Sequence, residues 1–351
     1  MSVSRKAYGI VKKVHNIPYN ALDGHAFRPI KATFEITYRC NLKCEMCYLV
    51  HEGREKKIKE LTPDEVKNVI NQLTRKIPIT FTGGEPFVKE GIMDILRYTS
   101  KRNNCGILTN GIMLNEDRAK DIVDMGVSAI TISIDGPKEV HDKIRGPKAF
   151  EGAIQGIRNV QEYKKKSGKK NPNVHLNTVI LPFNIESLDE IVDLASELSI
   201  HTCSFQILDP SIDRSGLNLD NKISKYTKPT IGMMDSIDPS KMKKFLYNVR
   251  EKSEKMGVNV KFVPAMNNED LINYYSKKIS LEKYTCRLPW SSIRISPFGD
   301  VYPCFNYKIG NVKEKPISEL WNNFYYKTFR KTLKKQGVFQ GCAGCCNMVY
   351  R

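Results

Sequence analysis

The 351-residue sequence lacks an apolar run long enough to cross a bilayer. Its first residues, MSVSRKAYGIVKK, also lack the continuous apolar core of a secretory signal. These two absences predict a chain that stays in the cytoplasm, where thiols are kept reduced. In that compartment the ten cysteines of the sequence favour metal binding over disulfides.

Acidic residues are scarce beside basic ones, 38 against 56, which gives a formal net charge of +18. Such a bias is typical of proteins that bind nucleic acid, anionic membranes or acidic substrates. The densest basic stretch, residues 164–170, is not interleaved with aromatic side chains as a nucleic-acid platform would be. We read this stretch as a solvated face and expect no nucleic-acid partner.

Three cysteines, Cys40, Cys44 and Cys47, stand within eight residues. They follow the alternating apolar run 32–37, which is typical of a buried strand, so we expect them in a loop at its carboxyl end. Zinc ions and iron-sulfur clusters normally take four ligands, so three thiols leave one coordination position open for another molecule. The alternative is a closed zinc site with His51 as the fourth ligand, in a zinc-organised binding module.

A second motif, Gly83-Gly84-Glu85-Pro86, follows the strand-like run 77–81. Paired glycines let the backbone approach a ligand closely, and a neighbouring carboxylate can accept a hydrogen bond from an ammonium group. The motif therefore predicts a ligand contact, although alone it is a weak signal.

A third motif places Ser133 and Asp135 at the end of the strand-like run 127–134, followed by Arg145. A hydroxyl and a guanidinium together suit a carboxylate or a ribose. With these three motifs the chain resembles the radical S-adenosylmethionine (SAM) enzymes. In that family a CxxxCxxC loop holds a [4Fe-4S] cluster through three irons, and the amino and carboxylate groups of SAM chelate the fourth.

The resemblance implies that Cys40, Cys44 and Cys47 ligate the SAM-binding cluster. It also implies that SAM contacts come from the three strand ends, namely Gly83, Gly84, Glu85, Asn110, Ser133, Asp135 and Arg145. Within this set, the Gly83-Gly84-Glu85 turn would contact the SAM amino group, and the pair Ser133 and Arg145 would contact its carboxylate.

Apolar periodicity alternates between strand and helix six times between residues 32 and 208. Such units require parallel strands and right-handed crossovers, which predicts an α/β fold, a partial (β/α)6 TIM-like barrel. All of the motifs above then lie at the carboxyl ends of strands, where active sites of such folds form. We divide the chain into an irregular lead-in (1–31), the barrel (32–208), a connecting or lid region (209–283) and a tail (284–351).

The tail holds a second group of cysteines. A hairpin is expected over residues 293–303, and the cysteines around and after it are Cys286, Cys304, Cys342, Cys345 and Cys346. This arrangement is similar to the SPASM and twitch extensions of radical SAM enzymes, which bind auxiliary [4Fe-4S] clusters. The resemblance implies one auxiliary cluster on Cys286, Cys304, Cys342 and Cys345, with Cys346 spare or exchanging with Cys345. A zinc ribbon is the alternative.

The activity implied by the resemblance is reductive cleavage of SAM to a 5'-deoxyadenosyl radical that abstracts a hydrogen atom from a substrate. We expect oxidation or crosslinking of a peptide, with dehydrogenation or epimerisation of a sugar or other small molecule as the alternative. Epimerisation needs a thiol donor, for which Cys346 is the candidate, because Cys105 and Cys203 are expected to be ordinary buried thiols. An electron donor such as flavodoxin or ferredoxin is implied, and we expect a monomer.

Overall fold

The computed structural model describes residues 17–47, 49, 59–208, 236–304, 307–339 and 342–351. His51 and positions 209–235 of the expected lid lie outside the described residues. The described strands are β1 (Lys31–Thr37), β2 (Pro78–Gly83), β3 (Asn104–Thr109), β4 (Ala129–Ser133), β5 (Asn173–Ile180), β6 (Thr202–Ile207), β7 (Asn259–Val263), β8 (Tyr284–Thr285), β9 (Ser292–Ile295), β10 (Asp300–Tyr302), β11 (Gly310–Asn311) and β12 (Val349–Tyr350).

Helices cover one face of the main sheet, while β8 and β12 lie outside it and pair with each other. The helices are α1 (Pro63–Asn71), α2 (Ile92–Arg102), α3 (Glu116–Asp124), α4 (Lys138–Arg145), α5 (Ala149–Ser167), α6 (Glu190–Glu197), α7 (Pro239–Met256), α8 (Asn268–Tyr275), α9 (Ile317–Leu320) and α10 (Phe324–Gln336). Among the described helices, none is long and apolar enough to cross a membrane.

Ten strands of the described chain form one sheet in the order β11-β10-β9-β1-β2-β3-β4-β5-β6-β7. Strands β1 to β7 run parallel, each beside the next, and β9 pairs in parallel with the free edge of β1. The mixed α/β architecture with parallel strands, which is typical of the radical SAM partial barrel, confirms the predicted fold class. The tail hairpin β9-β10 extends this same sheet.

The sheet does not end at β6, where we expected the last strand. Strand β7 pairs with β6, because aromatic side chains of both strands pack together under α7. The ring of Phe205 lies 5.8 Å from that of Phe262 and 5.2 Å from that of Phe245. The run 258–263, which we had placed in the connecting region, therefore belongs to the sheet.

Strand residues alternate between two different environments. The side chains under the helices are apolar and fully buried, as Phe34, Ile79 and Ile107 illustrate. Cys105 and Cys203 lie on this face with 0% exposure, which confirms them as buried thiols. The opposite, inner face of the sheet is half-buried and carries many polar side chains.

A late helix start and an additional helix both have an identifiable cause in the conformation of a glycine. Helix α1 begins as predicted, with a capping box formed by Thr62 and Glu65. Helix α2 begins at Ile92 instead of Val88, because Gly91 adopts a left-handed conformation (φ +70°) just before it. Helix α4, which the periodicity did not predict, precedes α5 and ends at Gly146, whose φ of +119° also favours glycine.

Candidate active site

The cysteine loop leaves the carboxyl end of β1 and is fixed by backbone contacts. The amide of Leu42 donates to the Sγ of Cys40 at 3.4 Å, and the amide of Cys47 donates to the carbonyl of Cys44 at 3.0 Å. The amide of Glu45 donates to the carbonyl of Ile144 at 3.0 Å, which ties the loop to the end of α4. The loop therefore lies between β1 and α4.

Cys44 is the most buried of the three thiols in this loop, at 7% exposure. The pKa of Cys44 is raised to about 11, mainly by burial; Arg145 opposes this rise, and Cys47, Asp135 and Cys40 contribute to it. A buried thiol loses its proton when a metal ion binds the sulfur in its place. The three cysteines therefore suit a soft metal centre. Within the described ranges, no three Cys, His, Asp or Glu side chains converge on the position of one metal ion.

The paired glycines after β2 approach backbone rather than open space. A Cβ on Gly83, whose φ is +124°, would lie 2.3 Å from the carbonyl oxygen of Thr37, and one on Gly84 would lie 2.1 Å from that of Arg39. The Gly84 amide donates to the Thr37 carbonyl at 2.7 Å. Glycine is thus required here so that the end of β2 can pack on the first residues of the cysteine loop.

Glu85 is fully buried, and its carboxylate is used inside the protein. It accepts hydrogen bonds from the amide of Phe87 at 3.1 Å, the hydroxyl of Thr109 at 2.8 Å and the amide of Asn110 at 2.9 Å. Burial raises the pKa of Glu85, and these three hydrogen bonds lower it in part. Glu85 therefore braces β2 against β3, and its contact with SAM stays a prediction.

Asn110, whose amide donates to Glu85, also contacts the cysteine loop through its side chain. Its Nδ2 donates to the Oδ1 of Asn41 at 2.8 Å, one residue after Cys40. Its own Oδ1 accepts from the amide of Ile112 at 3.1 Å, which orients the side chain. Sequence reasoning named Asn110 and missed Asn41, whose only signal is its place between two cysteines of the motif.

Asp135 and Arg145 form a buried ion pair next to the cysteine loop. The Nε of Arg145 donates to the Oδ2 of Asp135 at 2.6 Å, and its Nη1 lies 3.9 Å from the Sγ of Cys44. Burial lowers the pKa of Arg145, but Asp135 and the Cys44 thiolate outweigh it, and the pKa is raised overall. The other Asp135 oxygen accepts from the amide of Val179 at 2.8 Å, which ties the pair to β5.

His141 completes the surroundings of Asp135 and was not predicted. Its Nδ1 accepts a hydrogen bond from the Asp135 amide at 3.0 Å, and its side chain is 1% exposed. Burial lowers the pKa of His141 to about 4, and Arg145 lowers it as well, so the ring is neutral near pH 7. Asn184, also missed, donates to the Asp135 carbonyl at 2.9 Å.

Ser133 stands apart from this network. It is the last residue of β4 and lies on the inner face of the sheet, opposite in register to Asn177. No contact joins Ser133 to Arg145 among the described residues, so their joint role in binding a carboxylate stays a prediction.

The tail cysteines form a second group. Cys286 is 7% exposed, and burial raises its pKa to about 12, with Cys304 and Cys346 adding to the rise. The Nδ2 of Asn347 donates to the Sγ of Cys346 at 3.2 Å, and it lies 4.0 Å from the Sγ of Cys345. Cys345 and Cys346 thus share one amide neighbour, and which of them joins Cys286, Cys304 and Cys342 as a ligand stays a prediction.

The loop of Cys342 and Cys345 also meets the carboxyl end of β6. A Cβ on Gly344 would lie 2.4 Å from the hydroxyl of Tyr274 and 2.8 Å from the carbonyl oxygen of Leu208. That hydroxyl donates to the same carbonyl at 2.5 Å. The tail is therefore packed against the far edge of the barrel as well as against β1.

Two family models match the sequence. Residues 34–195 match the radical SAM superfamily, and residues 286–346 match the SPASM model, which is described as an iron-sulfur cluster-binding domain. Together the models indicate [4Fe-4S] clusters and SAM as cofactors. They span both cysteine groups described above.

Curated relatives include proteins of several activities. An Fe-coproporphyrin III synthase of Methanosarcina barkeri is 32% identical over 49% of this chain and 42% of that protein. An AdoMet-dependent heme synthase of the same organism is 25% identical over 91% of this chain and 88% of that protein. The subtilosin biosynthesis protein AlbA of Bacillus subtilis is 24% identical over 90% of this chain and 67% of that protein.

Solved structures share the fold at lower identity. The Streptococcus suis SuiB structure with its precursor peptide SuiA matches with a TM-score of 0.64 and 17% identity, over 93% of this chain and 71% of that one. The chain belongs to the radical SAM superfamily and carries a SPASM-type iron-sulfur region at its C-terminal end.

Proposed function

We propose that this radical SAM enzyme oxidises or crosslinks a peptide. One hydrogen atom of the peptide would be taken up as 5'-deoxyadenosine, and a second electron would leave the peptide radical for the auxiliary cluster of the tail as a proton is released. When bound at a reduced [4Fe-4S] cluster, SAM supplies a 5'-deoxyadenosyl radical that can react with an unactivated carbon. One observation carries the proposal: Cys44, Arg145 and Asp135 are linked beside the Gly83-Gly84 turn at one end of the parallel strands.

The residues of this site have separate tasks. Cys40, Cys44 and Cys47 would hold three irons, and their arrangement in one loop leaves the fourth iron for SAM. Arg145 has its Nε on Asp135 and its Nη1 near Cys44, so Nη2 remains to bind the SAM carboxylate. Asp135 thus acts by orienting Arg145.

The inner face of the sheet supports a polar substrate. Register places Ser133 beside Asn177, Asn177 beside Ser204, and Ser204 beside Lys261 in one row across four strands. Hydroxyl and amide groups of this kind can bind peptide groups and polar side chains through hydrogen bonds. The likeness to AlbA and to the peptide-bound SuiB fold agrees with a peptide substrate.

Heme synthesis is a second candidate, because the AdoMet-dependent heme synthase matches nearly the whole chain. A flat, largely apolar tetrapyrrole would require a mostly apolar pocket. The polar row across β4 to β7 fits a peptide better, so we rank the peptide first.

The tail would hold the auxiliary cluster through Cys286, Cys304 and Cys342, with either Cys345 or Cys346 as the fourth ligand. The Sγ of Cys346 already accepts a hydrogen bond from Asn347 at 3.2 Å, next to Cys345 in the same loop, which supports a ligand role for Cys346 over use as a free hydrogen donor. We therefore place oxidation or crosslinking above epimerisation.

The test uses full-length protein loaded with iron and sulfide without oxygen, given SAM and a strong reductant. We expect formation of 5'-deoxyadenosine, and we expect Cys44→Ala to abolish it because the cluster loses one of three ligands. Cys203→Ala is the matched control, since this thiol is buried in the core away from both cysteine groups. Iron content and melting temperature are measured for all three proteins.

Peptides encoded next to the gene are then added, and their masses are measured. Loss of two hydrogen atoms from a peptide, absent in Cys44→Ala, supports the proposal. Formation of heme or Fe-coproporphyrin III from added porphyrins, with no change in any peptide, would transfer the assignment to the second candidate. A fully loaded protein that cleaves no SAM overturns both.

A further inference from the structure

Two arginine side chains beside the cysteine groups are buried in different ways. Arg145 has the carboxylate of Asp135 at 2.6 Å. Arg330, in α10, is 0% exposed, and no carboxylate pairs with it among the described residues. Its Nη2 is buried without a hydrogen-bond partner in that part of the chain. A buried cation of this kind is costly unless another negative charge is near.

Neutral groups surround the guanidinium of Arg330. They are the carbonyl oxygens of Pro289 at 2.8 Å and Gly24 at 3.1 Å, the Oδ1 of Asn322 at 2.8 Å, and the rings of Tyr326 and Trp321 with centroids at 3.9 and 4.5 Å. These contacts reduce the cost of burial and leave the net charge uncancelled. Burial lowers the pKa of Arg330 to about 10, so the side chain is still charged near pH 7.

The position of Arg330 is next to the tail cysteines. Pro289, which accepts from its Nε, lies in the turn Leu288–Trp290 directly after Cys286. The ring of Tyr326 lies under the Arg330 guanidinium, and its hydroxyl donates to the carbonyl of Ser292 at 3.1 Å, at the start of the strand that follows this turn. Arg330 therefore lies beside the segment that begins at the expected ligand Cys286.

Lys31 is a second cation in the same place. It is the first residue of β1, half-buried, and it has no carboxylate partner in the described part of the chain. Burial lowers the pKa of Lys31, whereas thiolates at Cys346 and Cys286 raise it. The Lys31 amide donates to the carbonyl of Ser291 at 3.3 Å, so two positive residues, on β1 and α10, lie against the segment that follows Cys286. No acidic side chain in the described part of the chain pairs with either of them.

We propose that Arg330 and Lys31 are the counter-ions of the auxiliary [4Fe-4S] cluster and raise its midpoint potential. The proposal rests on the assignment of that cluster to the tail cysteines. A cluster held by four thiolates is negatively charged, and its reduced form carries one more negative charge than its oxidised form. Fixed cations in a poorly solvated place therefore stabilise the reduced form more than the oxidised one.

The experiment is a redox titration of the auxiliary cluster followed by electron paramagnetic resonance. A Cys44→Ala background is used so that only the tail cluster contributes to the signal. In this background we expect Arg330→Gln and Lys31→Gln each to shift the midpoint to a more negative potential. Arg330→Lys keeps the charge and is expected to shift it less than Arg330→Gln.

The matched control is Arg250→Gln, because Arg250 is an exposed arginine paired with Glu254 on α7. Its midpoint should equal that of the parent protein. Unchanged midpoints in both Arg330→Gln and Lys31→Gln, with iron content intact, overturn the proposal. If Arg330→Gln does not fold, Lys31→Gln decides alone, since a half-buried residue at a strand start tolerates the change.

The titration needs neither SAM nor a substrate, so its result is independent of the proposed peptide chemistry. A protein that modifies no peptide can still show the shift in midpoint. A Cys44→Ala protein that binds no iron would overturn the tail ligands and this proposal together, while leaving the SAM-binding loop to be judged by the cleavage assay.

Discussion

The two cysteine groups of this protein differ in how the chain balances charge around them. At the end of β1, the buried Arg145 is paired with Asp135, which is itself fixed by His141 and β5. In the tail, Arg330 is buried among neutral groups. In the first site the buried cation is balanced by a carboxylate of the protein itself. In the second, no carboxylate of the described residues pairs with the buried cation, so under our proposal the cluster supplies the negative charge.

This difference fits two roles. A site where a cofactor enters and leaves at each turnover benefits from side chains that stay in place, which is preorganisation. A site filled once can use its metal centre as part of the folding free energy. The SAM loop is therefore expected to keep its structure without iron, and the tail is expected to depend on iron.

Breaking the Arg145 pair should have the largest effect on this comparison. Asp135→Asn leaves the guanidinium buried beside an uncharged amide, which is expected to cost about 3–5 kcal/mol of unfolding free energy. SAM cleavage should also fall strongly, because Arg145 loses the partner that orients it. Denaturant unfolding and 5'-deoxyadenosine formation measure the two effects.

Asp124→Asn is the control for that substitution, since Asp124 forms an exposed pair with Lys169. Its loss should leave both stability and cleavage close to those of the parent protein. If Asp135→Asn behaves like Asp124→Asn, the pair at the end of β4 has no special role, and the contrast between the two arginines disappears.

Removing iron should have the next largest effect, and only in the tail. Without its cluster, Arg330 is paired with no acidic side chain of the described residues, so amides of α10 are expected to exchange hydrogen on the order of 100-fold faster, which corresponds to about 2.7 kcal/mol. Amides of α3, which packs on α5 in the barrel, should be protected to the same extent with and without iron. Hydrogen exchange with mass detection compares iron-loaded and chelator-treated protein.

Equal deprotection of α3 and α10 would mean that the whole fold depends on the metal. Protection of the amides of both helices in iron-free protein would mean that the tail, like the barrel, keeps its structure without the metal. Either result would remove the distinction drawn between the two regions.

Much of this arrangement could be predicted from the sequence, because it is carried by local patterns. The six strand-helix units, the capping box at Thr62 and the parallel strand order follow from periodicity and handedness. The three motifs fall at strand ends for the same reason. The buried thiols Cys105 and Cys203 were also predicted from their place at the start of strands.

Contacts between distant residues could not be predicted in this way. Glycines 83 and 84 make room for the carbonyl oxygens of Thr37 and Arg39, some 46 positions earlier in the chain, and no local pattern indicates that contact. Their contact with SAM stays a prediction. The addition of β9 to the edge of β1 joins residues about 260 apart, which no window of periodicity samples. His141 was missed because α4 itself was missed between Pro137 and Gly146.

The smallest effect concerns His141, which lies next to the Arg145–Asp135 pair. Its pKa in the folded protein, about 4, is below the ordinary histidine value of 6.5, so the unfolded chain binds the proton more readily between these values. The contribution of His141 to stability is therefore complete above pH 6.5 and is lost as the pH falls towards 4. We expect the unfolding free energy to decrease by about 1–2 kcal/mol between pH 6.5 and 5 from this group. In His141→Asn, the amide oxygen can accept a hydrogen bond from the Asp135 amide but cannot titrate, so that part of the decrease should vanish. Unfolding free energies measured against pH that are identical for both proteins would show that protonation of His141 does not affect stability.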